Sequence, residues 1–347
     1  MTPPIDKTME ANVIGGFGGP DVIDYNTAFP VTKPGPGEVL ISVKASTVNP
    51  IDCRVRQGYG RRLFAMKRGF KFPYILGSEL SGTVVCTGAG VHGLAAGDAV
   101  IAAVGPARQG TNATYCTVPY ELCVDKPTTL SFQDAATLPY SALTISAAFA
   151  KARLNEQTTA NKRVLVHGGT GGIGTIAIPW LKAWGATVAT TASTKNLEFA
   201  KQIGADHVID YKHEDFSALL SNYDVVLDTV GGDYETRSIP VLATGGCYVT
   251  LVTPVLNNID KHGIAIGLMR SIATMIGKKR RFKKHGLRYE WAMFTPNRDA
   301  LQLATILCEQ KKIIPRVRCV YPLTALADAH REQETNSAPG RIVITHG

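Results

Sequence analysis

Short runs of alternating apolar and polar residues fill the first third of the chain. Val39–Lys44 is apolar at alternate positions, and Gly82–Cys86 and Ala99–Ala103 are similar runs of strand length. Pro34-Gly35-Pro36-Gly37 and Gly97-Asp98 punctuate them with residues that pre-set or permit turn geometry. The pattern predicts a β-rich unit, not βαβ repeats. From about Asn161 the texture changes to strand followed by helix: Arg163–His167, a helix through Trp184, Thr187–Thr191, a helix Lys195–Ile203, His207–Ile209, Tyr223–Asp228 and Tyr248–Val252. Short apolar strands alternating with helical periodicity predict a parallel, doubly wound sheet. Strand character returns at Ile313–Tyr321 and Arg341–Thr345.

Length changes this picture by implying more than one core. The chain has 347 residues, and single domains run to ~100–200. The expected organisation is α/β, with residues 1–126 and 312–347 as a β-rich domain and 127–311 as the doubly wound domain. A composition of 45% hydrophobic and 19% charged residues excludes both a disordered chain and a membrane bundle. Ile264–Gly277, the longest apolar stretch, is interrupted by Arg270 and is too short to span a bilayer.

Gly169-Thr170-Gly171-Gly172-Ile173-Gly174 fits G-x-G-x-x-G and lies between the strand Arg163–His167 and a predicted helix. Glycines there let the backbone turn tightly and approach a pyrophosphate, while the helix amino terminus offers free N–H groups and partial positive charge. Pro179 is expected to kink that helix, because it removes one backbone hydrogen bond. An NAD site needs a carboxylate near the end of the second strand for the ribose 2′-OH. The sequence there is Thr190-Thr191-Ala192-Ser193-Thr194-Lys195-Asn196, which offers hydroxyls and a cation instead. Ser193 and Lys195 therefore point to the 2′-phosphate of NADPH. Ser193 or Thr194 as a helix cap is compatible with that reading.

The seven cysteines are scattered and contain no C-x-x-C pair, so free thiols are expected, with no cysteine lobe for a structural zinc. Charge is concentrated. Of the formal +9, Lys261 to Glu290 holds +8, from nine Lys/Arg and one acid, and peaks at Lys278-Lys279-Arg280-Arg281-Phe282-Lys283-Lys284. A solvated loop or helix face accounts for such a run. The sharper alternative is contact with an anionic membrane surface, with Phe282 inserted into the interface. Nucleic acid is not an expected partner. Met1–Glu10 resembles neither a secretory nor a transit peptide, so the chain as given is expected in the cytosol.

Beyond the glycine turn, Val48-Asn49-Pro50-Ile51-Asp52, Phe72-Pro73-Tyr74-Ile75-Leu76-Gly77-Ser78-Glu79, Ala135-Ala136-Thr137-Leu138-Pro139 and Gln202-Ile203-Gly204-Ala205-Asp206 resemble the zinc-free quinone oxidoreductase branch of the medium-chain dehydrogenase/reductases. Gly58-Tyr59-Gly60 followed by Met66-Lys67-Arg68, Gln109-Gly110-Thr111, Tyr248–Pro254 and Tyr289-Glu290-Trp291-Ala292 are similar to a mitochondrial subgroup of it. The resemblance implies a GroES-like catalytic domain, a Rossmann domain, and hydride transfer from NADPH to a quinone or another activated alkene or carbonyl. It also implies a homodimer joined through the cofactor domains, and a mitochondrial location if a leader has been trimmed.

Zinc-dependent relatives have a cysteine where this chain has Asn49, and Gly-His-Glu where it has Gly77-Ser78-Glu79. Two metal ligands are lost together, so no metal is expected and the acceptor must be activated by its own electronics and by hydrogen bonds. By resemblance, Tyr59 and Asn49 are the catalytic candidates: Tyr59 as donor to the developing enolate, Asn49 as a direct contact to nicotinamide or substrate. Tyr59 as a loop residue packed over the cleft stays open. By the same resemblance Asp52 sits where nicotinamide and substrate are oriented, with a helix cap as the alternative. Thr144, Gly231, Tyr211 and Lys212 complete the implied cofactor site, although a helical threonine bonding its own backbone is an alternative for Thr144. His167 and Cys53 show no partner and receive no chemistry. Two further functions stay open: a 2-enoyl thioester reductase, or a scaffold that keeps NADPH as a structural ligand and works through its basic segment.

Overall fold

The computed structural model describes residues 6–67, 70–105, 108–335 and 338–347, and these form three sheets. The longest strand, Glu38–Val48, is the spine of a seven-stranded sheet. It pairs antiparallel with Glu79–Thr87 on one side and with Arg341–Thr345 on the other. Ala99–Ala103 and Cys123–Asp125 extend the sheet past Glu79–Thr87, Val317–Pro322 extends it past Arg341–Thr345, and Tyr115–Pro119 also pairs with the spine. Glu38–Val48 is buried along most of its length, with the helices Phe132–Ala136 and Leu326–Thr335 packed on it. A smaller sheet orders Ile23–Pro30, Thr8–Ile14 and Tyr74–Ile75.

The third sheet is six-stranded and wholly parallel. Its order is His207–Asp210, Thr187–Ala192, Arg163–His167, Tyr223–Asp228, Leu242–Thr250 and Arg288–Trp291. Counted within this unit the order is 3-2-1-4-5-6, the doubly wound arrangement whose chain reversal leaves a crevice at the carboxyl ends of the first and fourth strands. The helix Gly174–Ala183 follows the first strand and runs through Pro179 as one helix. One apolar core joins the two large sheets through Ala135, Leu138, Ala142 and Leu143. A second core, Leu165, Phe216, Tyr223, Tyr248, Phe282 and Tyr289, lies on the opposite face of the parallel sheet.

The segment expected to be an apolar run followed by a basic run is a single helix, Ile264–Lys284. It packs on the preceding helix, Val255–His262, at a point where Gly267 meets the backbone of Ile259 and no Cβ would fit. Phe282 is not available to an interface: it is fully buried, with its ring centroid 5.0 Å from that of Tyr289 and 5.3 Å from that of Tyr248. Its apolar ring is driven into the core by the same helical phase that turns its basic neighbours outward. Removing that ring should cost about 3–5 kcal/mol, so chemical denaturation of Phe282→Ala should show a lower midpoint with an unchanged m-value.

Candidate active site

The glycine turn sits at the carboxyl end of the first parallel strand, at the reversal point. The N–H groups of Gly172 and Ile173, ahead of the helix Gly174–Ala183, have no acceptor among the described residues. They remain available to an anion. A Cβ at Gly172 would collide with the guanidinium of Arg341, which reaches the turn from the first residue of the C-terminal strand. Arg341 is buried at 6% exposure and donates to Asn49 Oδ1 and Ser141 Oγ, while its Nε finds no partner. A buried cation with a spare donor, against free backbone N–H groups, fits the pyrophosphate of a dinucleotide.

Asn49 is tied into this network at every polar atom of its side chain. Nδ2 donates to Thr47 Oγ1 at 2.9 Å and to Glu79 Oε1 at 3.0 Å, and Oδ1 accepts from Arg341. Both N–H donors of the Asn49 side chain are thus engaged inside the protein, which leaves Oδ1 as the atom with capacity for a further contact. Glu79, fully buried, accepts from Thr47 Oγ1 at 2.7 Å and from the backbone N–H of Tyr140 at 2.8 Å, so it joins the β-rich sheet to the helix Pro139–Ala152. Asp52 caps its helix by accepting from the Asn49 N–H at 2.7 Å, and it also accepts from Ser78 Oγ. Burial pushes the Asp52 carboxyl up to about 7; hydrogen bonds from Ser78 and Asn49 oppose this, the charge of Glu79 adds to it and Arg341 reduces it. Asp52 thus accepts from both the Asn49 backbone N–H and the Ser78 hydroxyl.

Tyr59 is half-buried, with the Arg54 guanidinium 3.6 Å from its ring centroid. Its loop is held from the opposite side of the cleft: Asp260, on the helix Val255–His262, accepts from Gly60 N–H at 2.6 Å and Arg62 N–H at 3.1 Å. Tyr140 shares this region, stacked on Phe294 with centroids 5.0 Å apart. Thr144 donates to Tyr140 O at 2.8 Å, so its hydroxyl proton bonds its own helix. Gly231 lies after the fourth strand, where Asp228 Oδ1 accepts its N–H at 2.8 Å.

At the end of the second strand Ser193 is buried, and Lys195 is exposed with no carboxylate partner among the described residues. Thr194 does not cap the helix; its hydroxyl donates to Asp210 Oδ2 at 2.7 Å, and His213 Nδ1 lies 2.8 Å from the same oxygen. Tyr211 and Lys212, both exposed, follow directly. Gly169, Thr170, Gly171, Gly172, Ile173 and Gly174 form the turn itself. Arg68 lies outside the described residues.

Reasoning from sequence missed Arg341, Ser141, Glu79 as a bridge, and Asp260. Only Glu79 carried a signal, as part of Gly77-Ser78-Glu79. His167 and Cys53 do have partners, contrary to expectation: His167 Nε2 is 3.0 Å from Ser238 Oγ, and Cys53 Sγ is 3.4 Å from His330 Nδ1. Burial lowers His167 to about 4 and raises the Cys53 thiol to about 12, which makes both structural.

A glycine-turned parallel sheet faces a β-rich unit across a polar cleft, the geometry of a dinucleotide site at a chain-reversal point. The family description "Alcohol dehydrogenase GroES-like domain" matches residues 35–128, and "Zinc-binding dehydrogenase" matches residues 203–344. The mitochondrial NAD(P)H oxidoreductase RTN4IP1 of Bos taurus is 38% identical over 359 residues, covering 99% of this chain and 90% of the relative. The chloroplastic NADPH-dependent alkenal/one oxidoreductase of Arabidopsis thaliana is 31% identical, covering 98% of this chain and 80% of the relative. The quinone oxidoreductase of Coxiella burnetii superposes with a TM-score of 0.82 at 30% identity, covering 98% of this chain and 100% of that one. The chain belongs to the medium-chain dehydrogenase/reductase family and is an oxidoreductase.

Burial of titratable groups sets the acid stability of this fold. His167, His330 and His346 are lowered to about 4, 3 and 3 by burial. They stay neutral in the folded state while the unfolded chain takes up protons below about pH 6.5, so stability falls as pH drops through that range. Asp52 acts in the opposite sense between about pH 4 and 7, because it holds its proton in the folded state. Three histidines outweigh one aspartate. Calorimetry should show Tm falling from about pH 6.5 to pH 4.5, with a shallower fall in His330→Gln; a Tm that is flat or rises on acidification contradicts this balance.

Proposed function

We propose that the chain is a zinc-independent, NADPH-dependent reductase that transfers hydride to a quinone or another activated alkene or carbonyl. The observation that carries this reading is the Arg341 guanidinium wedged between Gly172 of the cofactor turn and Asn49 of the catalytic domain. It joins the two halves of the site and supplies positive charge where a pyrophosphate would rest. Ser193, Lys195, Tyr211 and Lys212 would hold the 2′-phosphate, Gly231 would lie against the nicotinamide ribose, and Thr144 would line the nicotinamide pocket. NADPH, when bound, supplies the hydride.

The residues that meet zinc in related enzymes support metal independence through their chemistry. Asn49 and Ser78 are poor zinc donors, and their polar atoms already serve Glu79, Arg341 and Asp52. Tyr59 would donate a hydrogen bond and then a proton to the acceptor oxygen as hydride arrives at carbon. Hydride and that one proton complete the two-electron, two-proton reduction, a quinone adduct then tautomerises to the hydroquinone with no net proton change, and solvent returns a proton to the phenolate. Arg54 over its ring and Asp260 on its loop fix that phenol in place. The printed name of the Arabidopsis relative supports an enone as acceptor, and that of the Coxiella structure supports a quinone. The mitochondrial names of the relatives favour that compartment over the cytosol. A homodimer through the cofactor domains is consistent with the strand Arg288–Trp291, which ends the parallel sheet with an unpaired edge among the described residues.

NADPH oxidation measured against ortho- and para-quinones, enones and 2-enoyl thioesters tests the assignment. Turnover with a quinone or enone is expected, turnover confined to thioesters would move it to enoyl reduction, and total inactivity to the scaffold reading. Tyr59→Phe should lower kcat by about 10²-fold with little change in KM; undiminished turnover would remove the proton-donor role. Replacing Ser193 and Lys195 together with acidic residues should raise the KM for NADPH by at least about tenfold and narrow the preference over NADH. Identical kinetics for the two cofactors before and after would refute the 2′-phosphate pocket.

A further inference from the structure

The helix Ile264–Lys284 faces solvent with its largest apolar residues. Ile266, Met269, Ile272 and Ile276 are 51%, 62%, 58% and 45% exposed and fall on one side of the helix. The opposite side, which packs on the protein, is made of Gly267, Ser271, Met275 and Phe282. This inverts the ordinary arrangement, in which the bulky aliphatics of a surface helix turn inward. The apolar stripe continues at its carboxyl end into Arg280, Lys283 and Lys284.

Charge sorts the basic run. Lys278 is committed to Glu235 at 2.5 Å and Lys279 to Glu290 at 3.0 Å, and Arg281 donates to Thr236. Arg270, Arg280, Lys283 and Lys284 are exposed and have no carboxylate partner among the described residues. No acidic residue occurs anywhere in the helix. Arg62 lies near Gly263, so a further cation stands at the amino end of the stripe.

We propose that this helix lies on an anionic bilayer, with Ile266, Met269, Ile272 and Ile276 buried in the headgroup region and Arg270, Arg280, Lys283 and Lys284 on lipid phosphates. An aliphatic face that leads into unpaired cations, with no acid, is the composition of an interfacial helix. A second copy of this chain fits less well, since a self-paired contact would set these cations against one another. The surface also lacks the aromatic anchors that carry protein interfaces. Docking would have a consequence for catalysis. Val255–His262 packs against this helix, and its Asp260 holds the Tyr59 loop, so the cleft mouth would be held close to the membrane, where an apolar acceptor dissolves. That consequence rests on the quinone reading; docking does not.

Co-sedimentation of the full chain with vesicles of phosphatidylcholine, with and without phosphatidylglycerol, tests it. Wild type should pellet with the anionic vesicles only. Met269→Glu with Ile272→Glu, and separately Arg280→Glu with Lys283→Glu, should each reduce recovery at least tenfold while leaving turnover of a water-soluble quinone unchanged. Equal recovery from both vesicle types overturns the proposal. So does a concentration-dependent dimer that the Met269 and Ile272 changes dissociate, which would assign the stripe to a second copy. An enzyme that pellets with anionic vesicles but reduces no quinone would keep the docking surface and refute the acceptor.

Discussion

A guanidinium with almost no access to water has to be surrounded by acceptors, and the position of Arg341 organises both halves of this molecule. Burying a charge costs several kcal/mol unless hydrogen bonds and opposite charge offset it. Asn49 and Ser141 supply the hydrogen bonds, and Glu79, which also bonds Asn49, supplies negative charge nearby. Asn49 belongs to the β-rich domain and Ser141 to the helix that leads into the parallel sheet, so satisfying one cation fixes the distance between them. One guanidinium donor remains free and faces the glycine turn. On the proposed reading, folding and cofactor binding draw on the same group.

This arrangement changes what each neighbour can do. Asn49 and Ser78 occupy positions that carry metal ligands in zinc-dependent relatives, but here they spend their polar atoms on internal bonds. The site holds its geometry by hydrogen bonding, and on the proposed reading an acceptor is activated by groups with free donors. Tyr59 is half-buried under the Arg54 guanidinium, and Asp260 ties its loop to the helix Val255–His262. The cleft is thus closed by contacts that cross it at Arg341 and at Asp260.

The parts legible in the sequence were those governed by local rules. The strands Ala99–Ala103, Arg163–His167, Tyr223–Asp228 and Arg341–Thr345 have the boundaries that alternation and turn residues predict, and the glycine turn announced itself by its place between strand and helix. Arg341 was not legible, because its partners Asn49 and Ser141 lie 292 and 200 residues away in sequence. Nor was the saturation of the Asn49 side chain, which depends on Glu79 and Arg341, 30 and 292 residues away, as well as on nearby Thr47. The helix Ile264–Lys284 misled for a different reason. Its apolar spacing describes a face correctly, but the small residues Gly267 and Ser271 allow the opposite face to pack closely, and the aliphatic face is left outward.

The central claim is that this site moves hydride from NADPH to an organic acceptor through protein hydrogen bonds alone. A single-turnover experiment with stoichiometric NADPH and an ortho-quinone, in the presence of a strong metal chelator, tests it most directly. The account predicts loss of nicotinamide absorbance in one-to-one proportion with quinone reduction, at a rate the chelator does not change. Loss of the reaction in chelator, with recovery on adding zinc, would contradict it.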